Sequence, residues 1–311
     1  MRAVTLTQVP GTPEVTEVES PRPEAGELLV RVRASSVNGF DLGTAAGLLR
    51  EMMEHRFPLI PGKDFAGTVA AIGAGVEGFA VGDAVFGVVT KPHLGTGSMA
   101  QYVTVPAAIG VASLPEGVTV RDAGALGLAG TAAYDGLASL GPIEGKTVLI
   151  SGATGGVGTL AVQLATAGGA RVIATAKPGP EADFVSALTE AEVHLVDYTQ
   201  DVTAQVQALA PGGVDAVLHL AGDLAELTAL ARDGGSVASA LGFPEAPEGR
   251  TLQTAMVRAT PSAETLSALA GQVAAGGLSV PVTSVYDLEQ AGEAFTAFGA
   301  GTLGKIALTV A

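Results

Sequence analysis

The chain contains no cysteine. That removes disulfides, thiolate zinc sites and cysteine nucleophiles together, and leaves the redox compartment open. Tryptophan is also absent and aromatic residues make up only 4% of the chain, so its cores have to be built from Ala, Val and Leu. Positive charge is scarce: 16 Lys and Arg stand against 31 Asp and Glu, a net charge of −15. This balance argues against nucleic-acid binding, which is dominated by cationic contacts to phosphate, and against an anionic membrane surface. An anionic cofactor would need locally placed cations, which makes the few Lys and Arg informative. The first residues, MRAVTLTQVPGTPEV, hold no continuous apolar run of the kind a signal peptide needs. The longest apolar stretch, residues 123–141, is Gly-rich and interrupted by Asp135, too polar to cross a bilayer. The expectation is a soluble cytoplasmic protein.

What is present is organised in two parts. A length of 311 residues suggests two domains, and 48% hydrophobic residues suffice for two cores. Residues 28–37 alternate, with Val30, Val32 and Ala34 opposite Leu29, Arg31 and Arg33. Short apolar runs recur at 67–76, 84–89 and 99–105, divided by Gly, Pro and Asp, so residues 1–112 read as strands and turns in a β-rich, barrel-like unit. Residues 121–140 turn helical. From 146 onward, strands at 147–151, 171–176, 193–197, 214–220 and 236–241 alternate with helices at 157–168, 181–190, 202–210 and 223–232. Such alternation predicts an α/β, doubly wound parallel sheet. A sixth strand is expected near 251–259, then helices near 262–275 and 287–298 and a last strand at 305–310.

Residues 146–165, KTVLISGATGGVGTLAVQLA, join a β-branched strand to an amphipathic helix through Gly152, Gly155, Gly156 and Gly158. A strand, glycine turn and helix in that order aim backbone N–H groups at a pyrophosphate. The G-x-G-x-x-G fingerprint is imperfect, because Ala153, Gly155 and Gly158 occupy its glycine positions; the context of strand before and helix after is met. NAD sites carry an acid about 20 residues beyond the turn, bonded to the ribose 2′-hydroxyl. Here the second strand ends Ala174-Thr175-Ala176-Lys177, with no acid before Glu181. Thr175 and Lys177 can bind a 2′-phosphate that an acid would repel, which favours NADP(H) over NAD; the bland alternative is that Lys177 is a solvated loop cation.

Further motifs extend over most of the chain: Ser36-Val37-Asn38-Gly39-Phe40-Asp41, residues 57–67 (FPLIPGKDFAG), 82–87 (GDAVFG), 97–103 (GSMAQYV), 130–134 (GTAAY) and 303–308 (LGKIAL). This set, in this order, resembles the medium-chain dehydrogenase/reductase superfamily, and within it the zinc-free, zeta-crystallin-like quinone oxidoreductases. The resemblance implies a GroES-like β-barrel-type catalytic domain, residues 1–114 and 261–311, interrupted by a Rossmann NADP-binding domain at 115–260. It implies a cofactor in the interdomain cleft and a homodimer joined partly through the Rossmann sheet edge. Zinc alcohol dehydrogenases of the superfamily place Cys where this chain has Asn38, and Gly-His-Glu where it has Gly62-Lys63-Asp64. The four histidines, His55, His93, His194 and His219, are scattered, so no metal is expected.

Carried over residue by residue, the resemblance places Asn38, Asp41 and Thr131 at the nicotinamide and substrate as the catalytic set. Asn38 and Thr131 also count as cofactor contacts. An Asn amide can donate to a carbonyl without a shifted pKa; Asp41 has a second reading as a helix cap. Gly155, Gly156 and Val157 match the pyrophosphate loop, Thr175 and Lys177 the 2′-phosphate pocket, and Tyr198 a tyrosine flanking the adenosine phosphate, with a buried aromatic as the alternative. Ligands lie at the C-terminal strand ends of such sheets, which adds Ala221, Leu241, Gly242 and Phe243. Many relatives have a Tyr shortly after N-x-x-D; residues 46–50 here, AGLLR, have none. The expected activity is zinc-independent, NADPH-dependent hydride transfer to a small electrophile, a quinone or an α,β-unsaturated carbonyl. A non-catalytic NADPH-binding sensor or structural protein and a zinc-free alcohol or ketone dehydrogenase are the alternatives. A short-chain dehydrogenase is rejected for want of Tyr-x-x-x-Lys: Pro106, Ala138, Val202 and Gln290 follow the four tyrosines at that spacing.

Overall fold

A computed structural model describes all 311 residues. The chain divides into a first unit, Met1–Ala129 with Pro261–Ala311, and a second, Gly130–Thr260.

The first unit opens with the antiparallel pair β1 (Arg2–Thr5) and β2 (Glu14–Glu17), followed by the long β3 (Glu27–Val37) and the short helix α1 (Gly39–Ala45). Then come β4 (Glu54–Ile60), β5 (Asp64–Ile72), β6 (Ala84–Val88), β7 (His93–Thr96), β8 (Tyr102–Pro106) and β9 (Val111–Ser113). Helix α2 (Val120–Ser139) holds the division between the units, at Ala129/Gly130. In the second unit β10 (Thr147–Ile150), β11 (Arg171–Thr175), β12 (Val193–Val196), β13 (Val214–His219), β14 (Ala231–Ser239) and β15 (Gln253–Met256) alternate with α3 (Gly156–Ala167), α4 (Pro180–Ser186), α5 (Val202–Leu209) and α6 (Leu224–Ala229). The chain then returns to the first unit with α7 (Ala263–Ala274), β16 (Val282–Asp287), a 3₁₀ turn at Leu288–Gln290, α8 (Ala291–Gly299) and β17 (Lys305–Thr309).

Strand β3 organises the first unit. Its early residues pair with β8 (Glu27 opposite Pro106), its last four with β17 (Ala34 opposite Thr309, Val37 opposite Ile306), and its other edge with β5. The sheet runs β16-β17-β3-β5-β6-β9, and β4 and β7 form a separate pair. Alternation holds along β3 up to Arg33; Ala34 to Val37 are then buried on both faces, because a second layer closes over that end. Val30, Val32, Phe65, Val85, Val103 and Ile306 belong to one apolar core, which α8 joins through Ala294 and Phe295.

The second unit is the doubly wound parallel sheet expected. Its strands lie in the order β12-β11-β10-β13-β14-β15, every neighbouring pair parallel, which is the Rossmann arrangement with its reversal point between β10 and β13. The first unit is the β-rich body expected, with β3 shared by strands from both ends of the chain. Some local expectations shift. Helix α1 falls where only strands and turns were read. Helix α6 ends at Ala229, and β14 starts at Ala231, five residues early, because Ala231 pairs with Val214 across a register shift. Helix α4 is shorter than the 181–190 expected, and β16 occupies a stretch given no element. No helix is long and apolar enough to cross a membrane.

The glycine turn after β10 has two separate requirements. Gly152 takes φ +65°, in the left-handed region that glycine favours. Ala153 stands one residue later with no positive φ, which is why the first glycine of the fingerprint can be alanine. Gly158 is required by packing instead: a Cβ there would lie 2.1 Å from the Gly152 oxygen and 2.7 Å from the Ala153 Cα. Gly158→Ala is expected to lower stability by about 3 kcal/mol, the cost of overpacking a tight contact; denaturant unfolding checks this, and an unchanged midpoint would show that the turn relaxes freely.

Candidate functional site

A cavity of about 420 Å³ opens at the C-terminal ends of the second unit's strands, lined by Ser151, Gly152, Thr154, Thr175, Tyr198, Val202, Ala221, Gly222, Asp223, Glu226 and Leu227. Hydroxyl groups tie its loops together. The Gly152 N–H donates to Thr175 Oγ1 at 2.9 Å, so the second strand braces the glycine turn. Ser151 Oγ accepts from the Leu220 and Ala221 N–H groups at 3.0 and 3.3 Å. His219, fully enclosed, bonds Ser239 Oγ at 2.9 Å and the Gly222 carbonyl at 3.1 Å, joining the ends of β13 and β14. Helix α3 begins directly after Thr154 with Gly155 as its N-cap, and no side chain caps it. An uncapped helix start beside a roomy cavity suits an anionic group. Gly155 has only the Gly152 oxygen, 3.5 Å from where a Cβ would stand, so this face of the turn is open. These residues fit a dinucleotide.

Of the residues expected around a cofactor, Thr175, Tyr198 and Ala221 line this cavity, and Gly155, Gly156 and Val157 open the helix beside it. Thr131 is fully buried in α2. Leu241, Gly242 and Phe243 stand apart from the cavity wall, with Leu241 and Phe243 exposed just past β14. Lys177 is paired with Glu181. Its Nζ lies 3.1 Å from Glu181 Oε1, its backbone N–H donates to Glu181 Oε2 at 3.2 Å, and Tyr198 Oη donates to Glu181 Oε1 at 3.0 Å. Burial works against the Glu181 charge, yet the Lys177 N–H, the Lys177 ammonium and the Tyr198 hydroxyl hold its carboxyl below its ordinary value. The hydrogen bond that the Lys177 ammonium gives to Glu181 raises the Lys177 pKa.

The first unit holds a second polar cluster, and it is enclosed. Asn38 caps α1, and Asp41, three residues on, completes a capping box: its Oδ2 accepts the Asn38 N–H at 2.9 Å and its Oδ1 the Gly62 N–H at 3.0 Å. Asn38 Nδ2 donates to Asp64 Oδ2 at 2.9 Å and to Ser36 Oγ at 3.3 Å, while its Oδ1 accepts from Lys305 Nζ at 2.5 Å. To donate to a ligand, Asn38 would have to release one of these bonds. Asp64 Oδ2 also takes Ser36 Oγ at 2.6 Å and lies 3.5 Å from Lys305 Nζ; its Oδ1 takes the Leu128 N–H at 2.6 Å. Asp64 and Lys305 are 0% and 2% exposed. Burial pushes the Lys305 amine below its ordinary value, opposed by the charges of Asp64 and Asp41. Burial pushes the Asp41 carboxyl up to about 7, against the lowering hydrogen bond from Asn38; the charge of Asp64 adds to the rise. Beside it a narrow cleft of about 20 Å³, room for one water, is lined by Asp41, Thr44, Lys63 and His93 among others. Lys63 Nζ lies 5.1 Å over the Phe40 ring, a cation–π contact, and burial lowers its pKa against the charges of Asp41 and Asp64.

Lys305, Asp64 and Glu181 were not singled out from the sequence. Lys305 did carry a signal, since a lone cation followed by Ile306-Ala307-Leu308 in a buried strand needs a counter-charge.

Comparison with known proteins places this architecture. Residues 24–116 match the alcohol dehydrogenase GroES-like domain and residues 191–308 the zinc-binding dehydrogenase model. A chloroplastic quinone-oxidoreductase homolog of Spinacia oleracea is 35% identical over 209 residues, 65% of this chain and 62% of that protein. A 2-methylene-furan-3-one reductase of Solanum lycopersicum is 30% identical over 254 residues, 78% of this chain and 63% of that protein. The chain thus spans somewhat under two thirds of the length of these relatives. A solved NAD-dependent alcohol dehydrogenase superposes over 100% of both chains with a TM-score of 0.86 at 27% identity.

The chain belongs to the medium-chain dehydrogenase/reductase superfamily.

It stands in that superfamily's quinone oxidoreductase group. Zinc, named in one matching family description, does not fit the donors present. Asn38 donates its amide to Asp64 and Ser36 and accepts from Lys305, Lys63 is a cation over an aromatic ring, and no group of three His, Asp or Glu side chains could hold a metal ion. An ammonium already sits 2.5 Å from Asn38 Oδ1 and neutralises Asp64.

Two outcomes follow from the enclosed cluster. Lys305→Met leaves Asp64 buried without its counter-charge and is expected to cost about 3–5 kcal/mol in denaturant unfolding; a loss under 1 kcal/mol would show that the ion pair does not hold the cluster together. Asp41 has a folded pKa of about 7 against an ordinary 3.8. Its contribution is fully present below about pH 4, declines as the unfolded chain alone ionises, and is lost above about pH 7. The stability of Asp41→Asn relative to the parent should therefore rise between pH 4.5 and pH 8; a constant offset would contradict the assignment.

Proposed function

We propose that this chain is an NADPH-dependent oxidoreductase that reduces a small electrophile, a quinone or an α,β-unsaturated carbonyl, without a metal. The observation that carries the reading is the cavity at the strand ends of a 3-2-1-4-5-6 parallel sheet, next to an uncapped helix start. Relatives named quinone-oxidoreductase homolog and 2-methylene-furan-3-one reductase support the reaction class. The nicotinamide supplies a hydride when it is bound.

The chain's residues bind and orient. Gly155, Gly156 and Val157 receive the pyrophosphate at the start of α3. Thr175, Ala221 and Tyr198 surround the adenosine half, and Lys177 faces the 2′-phosphate. Thr131 and Asn38 are polar fixtures for the nicotinamide and acceptor. Asp41 holds the Asn38 backbone and the Gly62 turn in place. Residues 46–50 supply no tyrosine, so the proton comes from solvent in this reading. Leu241, Gly242 and Phe243 serve as a cover over the nicotinamide. The active form is a homodimer, for which β15 offers an unpaired sheet edge.

The direct test mixes the protein and NADPH with simple quinones and enals and follows the loss of reduced-nicotinamide absorbance. Turnover with either class is expected, and none with both overturns the reaction. For the cofactor, Lys177→Ala should weaken NADPH binding about tenfold and leave NADH unchanged, the loss of one charge-assisted contact. Equal affinity for NADH and NADPH in the parent, unaltered in the variant, overturns the NADP assignment.

A further inference from the structure

We propose that Glu181 is the residue that sets the nucleotide preference of this site, acting as an internal carboxylate that occupies the 2′-phosphate's donors until the nucleotide displaces it. The inference rests on the cofactor reading above. Three donors from two places in the chain converge on this one side chain: the Lys177 backbone N–H, the Lys177 ammonium and the Tyr198 hydroxyl. A backbone N–H, an ammonium and a hydroxyl gathered on one acid make an anion receptor. Its position is that of the nucleotide. Thr175, two residues before Lys177, and Tyr198 itself both line the strand-end cavity.

An ordinary surface pair between residues four apart on a helix does not account for this arrangement. Such pairs join two exposed chains and contribute little. Here the Glu181 side chain is 13% exposed while Lys177 is 51% exposed. The third donor, Tyr198, comes from beyond β12 rather than from the Lys177–Glu181 segment. The acid is therefore held, and the cation is presented.

The charge balance decides what the acid does. With Glu181 in place, Lys177 is neutralised, and the cavity wall adds Asp223 and Glu226 with no cation. A 2′-phosphate carries between one and two further negative charges at neutral pH. It must take Lys177 and Tyr198 away from Glu181 and then remain near that carboxylate. A 2′-hydroxyl meets no such competition. Glu181 accordingly narrows the advantage that Lys177 gives NADPH, and a neutral isostere releases it.

The test measures binding rather than turnover. Affinities of NADPH, NADH, adenosine 2′,5′-bisphosphate and AMP are taken by calorimetry on the parent, Glu181→Gln and Lys177→Ala, with melting temperatures to confirm folding. Glu181→Gln is expected to tighten NADPH and the bisphosphate about tenfold and to leave NADH and AMP within about threefold, the scale of one screened charge at short range. Weaker NADPH binding in Glu181→Gln would show that the acid only props Lys177, and equal shifts for all four ligands would show a general effect on the adenosine pocket; either overturns the proposal, as does no shift at all. Failure of the cofactor reading looks different: Lys177→Ala then leaves NADPH and the bisphosphate unaffected. A Lys177→Ala variant that selectively loses them, beside a Glu181→Gln variant that gains nothing, refutes Glu181's role alone.

Discussion

The first unit is built around the buried charge of Asp64. A carboxylate with no exposure is tolerable only if its oxygens are bonded and its charge returned. Here the partners come from β3, through Ser36; from the start of α1, through Asn38; from α2, through the Leu128 N–H; and from β17, through Lys305. Its backbone carbonyl adds Ser35 and Ser98. One side chain thereby fixes where four other elements stand. The elements that present Asn38 and Asp41 inherit their positions from that cluster. An apolar residue at 64 could fill the volume but would not set these positions.

The second unit has no such centre. Its geometry follows from strand order: adjacent crossovers on opposite sides of the sheet leave a crevice between β10 and β13, and the loops that bound it are latched to one another by hydroxyls. Thr175 reaches the glycine turn, Ser151 reaches the loop after β13, and His219 reaches β14. A residue read as a ligand contact, Thr175, thus already has work in the free protein, since its oxygen accepts a backbone N–H and its hydroxyl hydrogen remains for a guest.

The doubly wound sheet was legible because each βα step is local, and apolar runs with glycine between them reveal it one unit at a time. The barrel was legible only as β-rich. Its pairings join residues far apart, such as Ala34 with Thr309, and no local pattern encodes them. Helix α1 went unread because it is seven residues long and contains two glycines, although Asn38 and Asp41 spelled out its capping box. Within the candidate site, Thr175, Tyr198 and Ala221 were found by the rule that ligands gather at strand ends. Glu181 is not legible as a site residue because it lies beyond the end of β11, in α4, and only the turn of the chain brings that acid back to Lys177. Lys305 sat in a recognised motif with no role given, since a charge in a strand discloses its partner only once the sheet is closed.

The insertion of one unit within the other has a consequence for assembly in time. The second unit is one continuous stretch, complete at Thr260. The first depends on β17, which supplies both a neighbour for β3 and the cation for Asp64, 241 residues downstream. As the chain emerges from a ribosome, the later-starting unit can close first. The earlier barrel has to wait, with its acid unpaired and the edge of β3 bare, until residue 305 arrives. Its first 129 residues are thus the segment most in need of shielding during synthesis, and the last strand is the step that ends that exposure.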